Sequence, residues 1–235
     1  MSENGVPTRS PFRWKEADAY LFDIDGTLLL SPDRTHRYAL HRAMLDVFGI
    51  ETTIDGIAYH GKTDPGILRA ALERAGVSLE TIDSRMKDAL EVVRRDATEK
   101  ADRFKPNVLP GIRDILKLLQ DNGKLLGVTS GNLEQIGWIK ITVAGLRDYF
   151  QFGCFADDCE LREHIFQKGV AEVRKRLGED ATVCFVGDTP DDVRAAQKVG
   201  GQIIAVGTGI FKAEDLLSHG PDASVETCCE LLLQP

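Results

Sequence analysis

The chain has 235 residues, with 29 Lys and Arg against 37 Asp and Glu, for a formal net charge of −8. At 43% hydrophobic and 28% charged it has the composition of a globular protein, not of a disordered or fibrous chain. The acidic balance argues against a nucleic-acid partner, and no apolar run approaches the roughly 20 residues that a membrane span needs.

The first 17 residues are polar, carry Gly5, Pro7 and Pro11, and read as an N-terminal arm without the apolar centre of a signal peptide. Next comes the apolar run Ala19–Ile24, followed by similar runs at Lys124–Thr129, Thr182–Gly187 and Gln202–Val206 and a weaker one at Phe152–Ala156. Such near-continuous apolar runs suit strands covered on both faces. Helical spacing predicts helices over Pro110–Asn122, Arg162–Leu177 and Asp191–Val199 between them. Alternating strands and helices imply an α/β fold with a doubly wound parallel sheet. The stretch 33–105 breaks the alternation, since it holds only helical patterns, at Thr35–Phe48, Asp64–Ala75 and Leu79–Lys100. The expected organisation is therefore an α/β core from 18–32 and 106–235, with a helical unit at 33–105 inserted after the first strand. Five scattered Cys without a C-x-x-C pair read as reduced thiols of a cytoplasmic protein, with the adjacent Cys228 and Cys229 on a partly buried helix.

Three of the strand ends carry chemistry. Asp23-Ile24-Asp25-Gly26-Thr27-Leu28 leaves the first strand, and ligand sites of open parallel sheets lie beyond such carboxyl ends. Two carboxylates two residues apart can serve as nucleophile and acid/base around one cation; the same segment also reads as a strand-ending Asp-Gly turn. Asp188-Thr189-Pro190-Asp191-Asp192 ends a second buried run. Asp188 with Asp23 and a carbonyl would suit a hard cation such as Mg²⁺, while Asp188 or Asp191 also reads as a helix N-cap. Thr129-Ser130-Gly131-Asn132 ends a third run in hydroxyls and a helix start, which makes an anion pocket or a plain cap.

Together, DIDGTL, GVTSGN and FVGDTPDD resemble the first, second and fourth signatures of the haloacid dehalogenase superfamily, in order and over residues 18–235. The helical insert matches the position of that family's C1-type cap, and His60-Gly61-Lys62-Thr63-Asp64 resembles a segment of its phosphoglycolate-phosphatase-like members. The third signature departs from the pattern: the usual Lys of K-P-x-P is missing, Arg162 stands nearest its place, and Lys168 and Lys140 are alternatives. The resemblance implies a Rossmann-like core and a Mg²⁺-dependent phosphatase acting on a small-molecule phosphate ester. In it Asp23 becomes a transient aspartyl phosphate and Asp25 moves the leaving-group proton. Mg²⁺ is held by the Asp23 carboxylate, the Asp25 carbonyl and Asp188. Thr129, Ser130 and Arg162 bind the phosphoryl oxygens, Gly131 and Asn132 join Ser130 in binding substrate, and Asp192 orients metal waters or the cation. His60 and Lys62 on the cap are candidates for the leaving group, ahead of His36, Arg37 and His41. An acid at position 25 favours phosphate esters over halides or phosphonates. A phosphosugar mutase of the same family, a silent binding module on this fold and a receiver-type signalling domain are the competing classes. Monomer and homodimer are both compatible with the sequence.

Overall fold

A computed structural model describes residues 13–233. In chain order the first half runs β1 (Ala19–Phe22), β2 (Leu29–Leu30), α1 (Thr35–Phe48), α2 (Asp64–Arg74), α3 (Leu79–Glu99), β3 (Asn107–Val108), α4 (Ile112–Asp121) and β4 (Leu125–Thr129). The second half runs α5 (Glu134–Val143), β5 (Phe152–Cys154), α6 (Arg162–Leu177), β6 (Val183–Gly187), α7 (Pro190–Lys198), β7 (Gln202–Val206), α8 (Ala213–Leu217), β8 (Ala223–Val225) and α9 (Cys228–Leu232).

The main sheet has the order β5-β4-β1-β6-β7-β8, and every pair in it is parallel. The chain builds outward from β1 in one direction through β4 and β5, and in the other through β6 to β8. That reversal opens a crevice at the carboxyl ends of β1, β4 and β6. The register aligns Phe22 with Val128 and Val186, so Asp23, Thr129 and the residues after Gly187 leave the sheet side by side.

Strand alternation divides the core in two. Tyr20, Phe22, Cys184, Val186, Ile204 and Val206 point to the face covered by α4, α5 and α9. Leu21, Val183, Phe185, Ile203 and Ala205 point to the face covered by α6, α7 and α8. The strands are thus buried on both faces, which is why their sequences read as continuous apolar runs.

The helical insert has an apolar core of its own, centred on Met44, Leu68, Leu72 and Val93, which also takes in Leu133 and Ile136 of the α5 segment. Local chemistry delimits its helices. Gly49, at φ 69°, closes α1; Thr63 caps α2 by accepting from the Gly66 amide, with Pro65 in the first turn; Ser78 caps α3. A fully buried Leu such as Leu68 or Leu72 contributes about 1.5–3 kcal/mol through burial.

Several features escaped the sequence. The two connections between core and insert pair as an antiparallel ribbon, Leu29 with Val108 and Leu30 with Asn107. Two-residue strands are too short to show a period. Beside the ribbon, the Asp33 carboxylate accepts from the amides of Thr35 (2.9 Å) and Lys105 (2.8 Å), tying the two connections together. The edge strand β8 and the five-residue α8 were also not anticipated. Residues 1–12 of the expected arm lie outside the described residues, but Trp14 and Ala17 do not belong to a polar arm. Both are buried in the core, and the Trp14 carbonyl accepts from the Tyr20 hydroxyl. Two aromatics, Phe12 and Trp14, in an otherwise polar run carry no periodic signal.

Candidate active site

A cleft of about 590 Å³ lies between the sheet's carboxyl edge and the insert, with Asp23, Asp25, Asp188, Ser130, Asn132 and Arg162 in its wall. Asp23 continues β1 by one residue, its amide donating to Val186 O at 2.9 Å, and its side chain is buried. Gly26 then turns the chain at φ 87°, with its amide on Leu29 O at 2.9 Å. A Cβ at Gly26 would stand 2.2 Å from Asp188 Oδ2, and one at Gly209 would stand 1.8 Å from the same oxygen. Two glycines therefore make the space in which the Asp188 carboxylate sits.

Asp23, Asp188 and Asp192 each bring a carboxylate oxygen within 4.8 Å of the others. Their environments differ. Asp192 Oδ1 accepts from Arg162 Nε at 2.7 Å, and its Oδ2 accepts from the Thr189 amide (3.0 Å) and hydroxyl (2.6 Å) in a capping box at the start of α7. Both of its oxygens are already engaged. Among the described residues, Asp188 accepts only from the Thr27 hydroxyl, at 3.1 Å on Oδ1. Hard carboxylate oxygens without His or Cys suit Mg²⁺ rather than Zn²⁺. Asp23 and Asp188 are the pair best placed to hold such an ion, with Asp192 anchoring the cation beside them.

That cation is Arg162, at the first position of α6 and buried. Its Nη2 lies 2.7 Å from Asp23 Oδ2 and 2.6 Å from Asp192 Oδ1 without aligned hydrogen-bond geometry to either, and its Nη1 donates to Gly61 O at 3.2 Å. Lys168, the first alternative, pairs with Asp158 away from the cleft. Lys140, the second, is buried on α5 and reaches a different carboxylate: its Nζ donates to Asp25 Oδ2 at 2.6 Å and to Asn132 Oδ1 at 2.7 Å.

The two motif carboxylates shift in opposite directions. Burial pushes the Asp23 carboxyl up to about 6, against the pull of Arg162 and with help from the Asp192 charge. Asp188 is raised by burial and by its acidic neighbours. Asp25, at the cleft wall, is raised by desolvation, but the Lys140 charge and hydrogen bond, with His36 and Asn132, outweigh this and hold it below the usual carboxylate range. Arg162 stays charged, since Asp192 and Asp23 more than offset its burial.

Of the second-motif residues, Ser130, Gly131 and Asn132 line the cleft. Thr129 is wholly buried at the end of β4, and its hydroxyl has no hydrogen-bond partner among the described residues. The 60–64 loop of the insert docks on this segment. Asp64 N donates to Gly131 O at 2.7 Å, and a Cβ at Gly131 would stand 2.4 Å from Lys62 O. Lys62 lines the cleft and pairs with Asp191 at 2.8 Å, tying the insert to the core. His60 stacks on Tyr59 at a ring distance of 4.3 Å, and burial lowers its pKa.

The sequence reading gave no role to Thr27, Asp64 or the Thr208-Gly209 turn, although all lie at the site. Thr27 stands inside the quoted DIDGTL, and Thr208, whose hydroxyl donates to Gly26 O at 2.6 Å, follows the end of β7. Both positions are strand-end signals of the kind that exposed the other motifs. Asp64 accepts from Leu133 N (2.8 Å) and meets His36 Nε2 (3.0 Å), contacts that no spacing rule foretells.

A phosphoglycolate phosphatase of Synechococcus elongatus is 27% identical over 231 residues, covering 91% of this chain and 95% of that protein. The pyrophosphatase PpaX of Bacillus pumilus is 23% identical over 90% of this chain and 93% of its own. The crystal structure of CbbY from Rhodobacter sphaeroides in complex with phosphate superposes with a TM-score of 0.70 at 18% identity, over 92% of this chain and 96% of that one. The family model for haloacid dehalogenase-like hydrolases matches residues 20–206, the span from β1 through β7 that carries all three motifs, and the chain belongs to that family.

Proposed function

We propose that the chain is a Mg²⁺-dependent phosphatase that hydrolyses a small-molecule phosphate monoester through an aspartyl phosphate on Asp23. The carrying observation is the division of labour in one cleft. Asp23 and Asp188 are buried together beside Arg162, while Asp25, two residues on, is held apart by its own cation. The candidate nucleophile and the candidate acid/base thus take different partners within one cleft.

Asp23 attacks phosphorus, and the ester oxygen leaves with a proton from Asp25. Asp25 then takes a proton from water, which hydrolyses the acyl phosphate and returns Asp23. The Asp23 carboxylate, the Asp25 carbonyl and Asp188 would hold Mg²⁺, which would supply charge that offsets repulsion between carboxylate and phosphate. Arg162, the Ser130 and Thr129 hydroxyls and the amides at the start of α5 stabilise the equatorial oxygens. Residues 33–105 act as the cap that selects what the phosphate is attached to, and its 60–64 loop excludes bulk water when docked. The near-full-length likeness to a phosphoglycolate phosphatase supports a small phosphorylated metabolite as substrate.

The test is turnover of a panel of phosphorylated metabolites with Mg²⁺ and with chelator. Activity with Mg²⁺ that EDTA abolishes and added Mg²⁺ restores is the expected result. Full activity in chelator would sink the metal assignment, and no turnover of any phosphate ester would sink the phosphatase.

A further inference from the structure

Lys140 is the residue the proposed mechanism leaves unused. It is 2% exposed, and a buried ammonium is costly to desolvate unless it is fully paired. All three of its donors are placed: on Asp25 Oδ2 at 2.6 Å, Asn132 Oδ1 at 2.7 Å and His36 Nδ1 at 3.2 Å. These partners come from three different parts of the fold: the loop after β1, the loop after β4, and α1 of the cap. His36 accepts on Nδ1 and therefore carries its proton on Nε2, which faces Asp64 Oδ2 at 3.0 Å. The same Asp64 oxygen accepts from Leu133 N, at the head of the helix that carries Lys140. The chain of contacts runs from Asp25 through Lys140 into the cap and back to the core. None of it touches Asp23, Asp188 or Asp192, which Arg162 serves.

We infer that Lys140 is a positioning residue for Asp25, fixing its carboxylate on the wall shared with the cap so that it meets the leaving oxygen only when His36 is docked. This rests on the phosphatase reading, in which Asp25 serves the leaving group. Lys140 keeps its proton throughout and touches neither phosphorus nor metal. Its loss can therefore cost no more than Asp25 contributes, and it costs most where the leaving oxygen needs a proton. Asn132, bonded to the same carboxylate oxygen at 2.9 Å, limits the Asp25 movement that remains.

The experiment compares Lys140→Met, Asp25→Asn and the double variant, with Mg²⁺, on an alkyl phosphate and on p-nitrophenyl phosphate. Lys140→Met should lower kcat on the alkyl ester by roughly 10- to 100-fold, a part of the general acid–base contribution, while KM moves by less than about 3-fold. The loss on the aryl ester should be under about 3-fold, because that leaving group departs unprotonated. In the Asp25→Asn background Lys140→Met should cost nothing further. Losses that multiply in the double variant, or that are equal on both esters, overturn the inference. His36→Asn carries the same test from the cap side should Lys140→Met not fold: its loss should again favour the alkyl ester and vanish behind Asp25→Asn, and an equal loss on both esters overturns the inference. A wild-type chain without Mg²⁺-dependent turnover overturns the phosphatase reading, and this one with it; active wild type with multiplying losses overturns this one alone.

Discussion

The surroundings of Asp23 and of Asp25 differ more than two residues of separation would suggest. Around Asp23 every partner is a core residue: Val186 of β6, Arg162 of α6, and the acidic neighbours Asp188 and Asp192. Around Asp25 the partners are Lys140 and Asn132 from the core, with His36 of the insert behind them. The chain leaves β1 after Phe22 and turns at Gly26, and the two carboxylates meet different partners in one cleft. Burial, helped by the acids around it, raises the first to about 6; the second, despite its own burial, is lowered by the ammonium it pairs with. On the mechanism proposed here the phosphoryl group is handled by the core alone, while the leaving group is handled where core and cap meet.

The largest test of this contrast is Asp23→Asn. Losing the nucleophile should reduce kcat by about 10⁴-fold or more on every ester, since no residue replaces it. Retained turnover would move the chemistry elsewhere. Asp25→Asn keeps the carbonyl and should cost roughly 10²–10⁴-fold on alkyl phosphates but far less on activated aryl phosphates. Equal losses on the two classes would erase the distinction between the walls.

Metal binding probes the titrating carboxylates of the Asp23 wall. Below about pH 6 the raised Asp23 carboxyl is protonated and cannot ligate, and Asp188 shifts the same way. The stabilisation by Mg²⁺ should therefore be small near about pH 5, rise through about pH 6 and approach about 2.7 kcal/mol at a hundredfold excess over Kd near about pH 7.5. Thermal melts with and without Mg²⁺ at the two pH values check this. An increment that is the same at both would contradict it.

The shared wall is probed by Gly131→Ala. Its Cβ would fall 2.4 Å from Lys62 O, so the 60–64 loop must lift, at about 1–3 kcal/mol. A lower Tm together with raised KM is expected, and unchanged values would mean that the loop is not held against Gly131 in solution. The smallest effect belongs to Arg34, at φ 59° the one non-glycine residue with positive φ among those described, which lines the cleft ahead of α1. Arg34→Gly should stabilise the chain by about 1 kcal/mol by relieving left-handed strain. A fall in Tm would show that its side chain contributes more than its backbone costs.

Much of the site was legible because its residues stand at strand ends. An apolar run that ends in acid or hydroxyl marks a carboxyl edge, and a parallel sheet brings those edges together; this located Asp23, Asp188 and Ser130 from local pattern. Helix bounds were equally local: α1 and α6 run as expected at Thr35–Phe48 and Arg162–Leu177, because apolar spacing and terminal glycines set them. What the chain alone left open was which cation serves which carboxylate. Arg162 and Lys140 lie 139 and 115 residues from the acids they pair with, and the pairings depend on where α6 and α5 pack against the sheet. The same holds for Lys62, which lines the cleft from the 60–64 loop and whose ammonium pairs with Asp191 of α7. Periodicity reports which face of an element is buried, and composition reports what a strand end can offer. Neither reports which long side chain reaches which charge, because that is set by the packing of elements distant in sequence, and tertiary structure alone decided it.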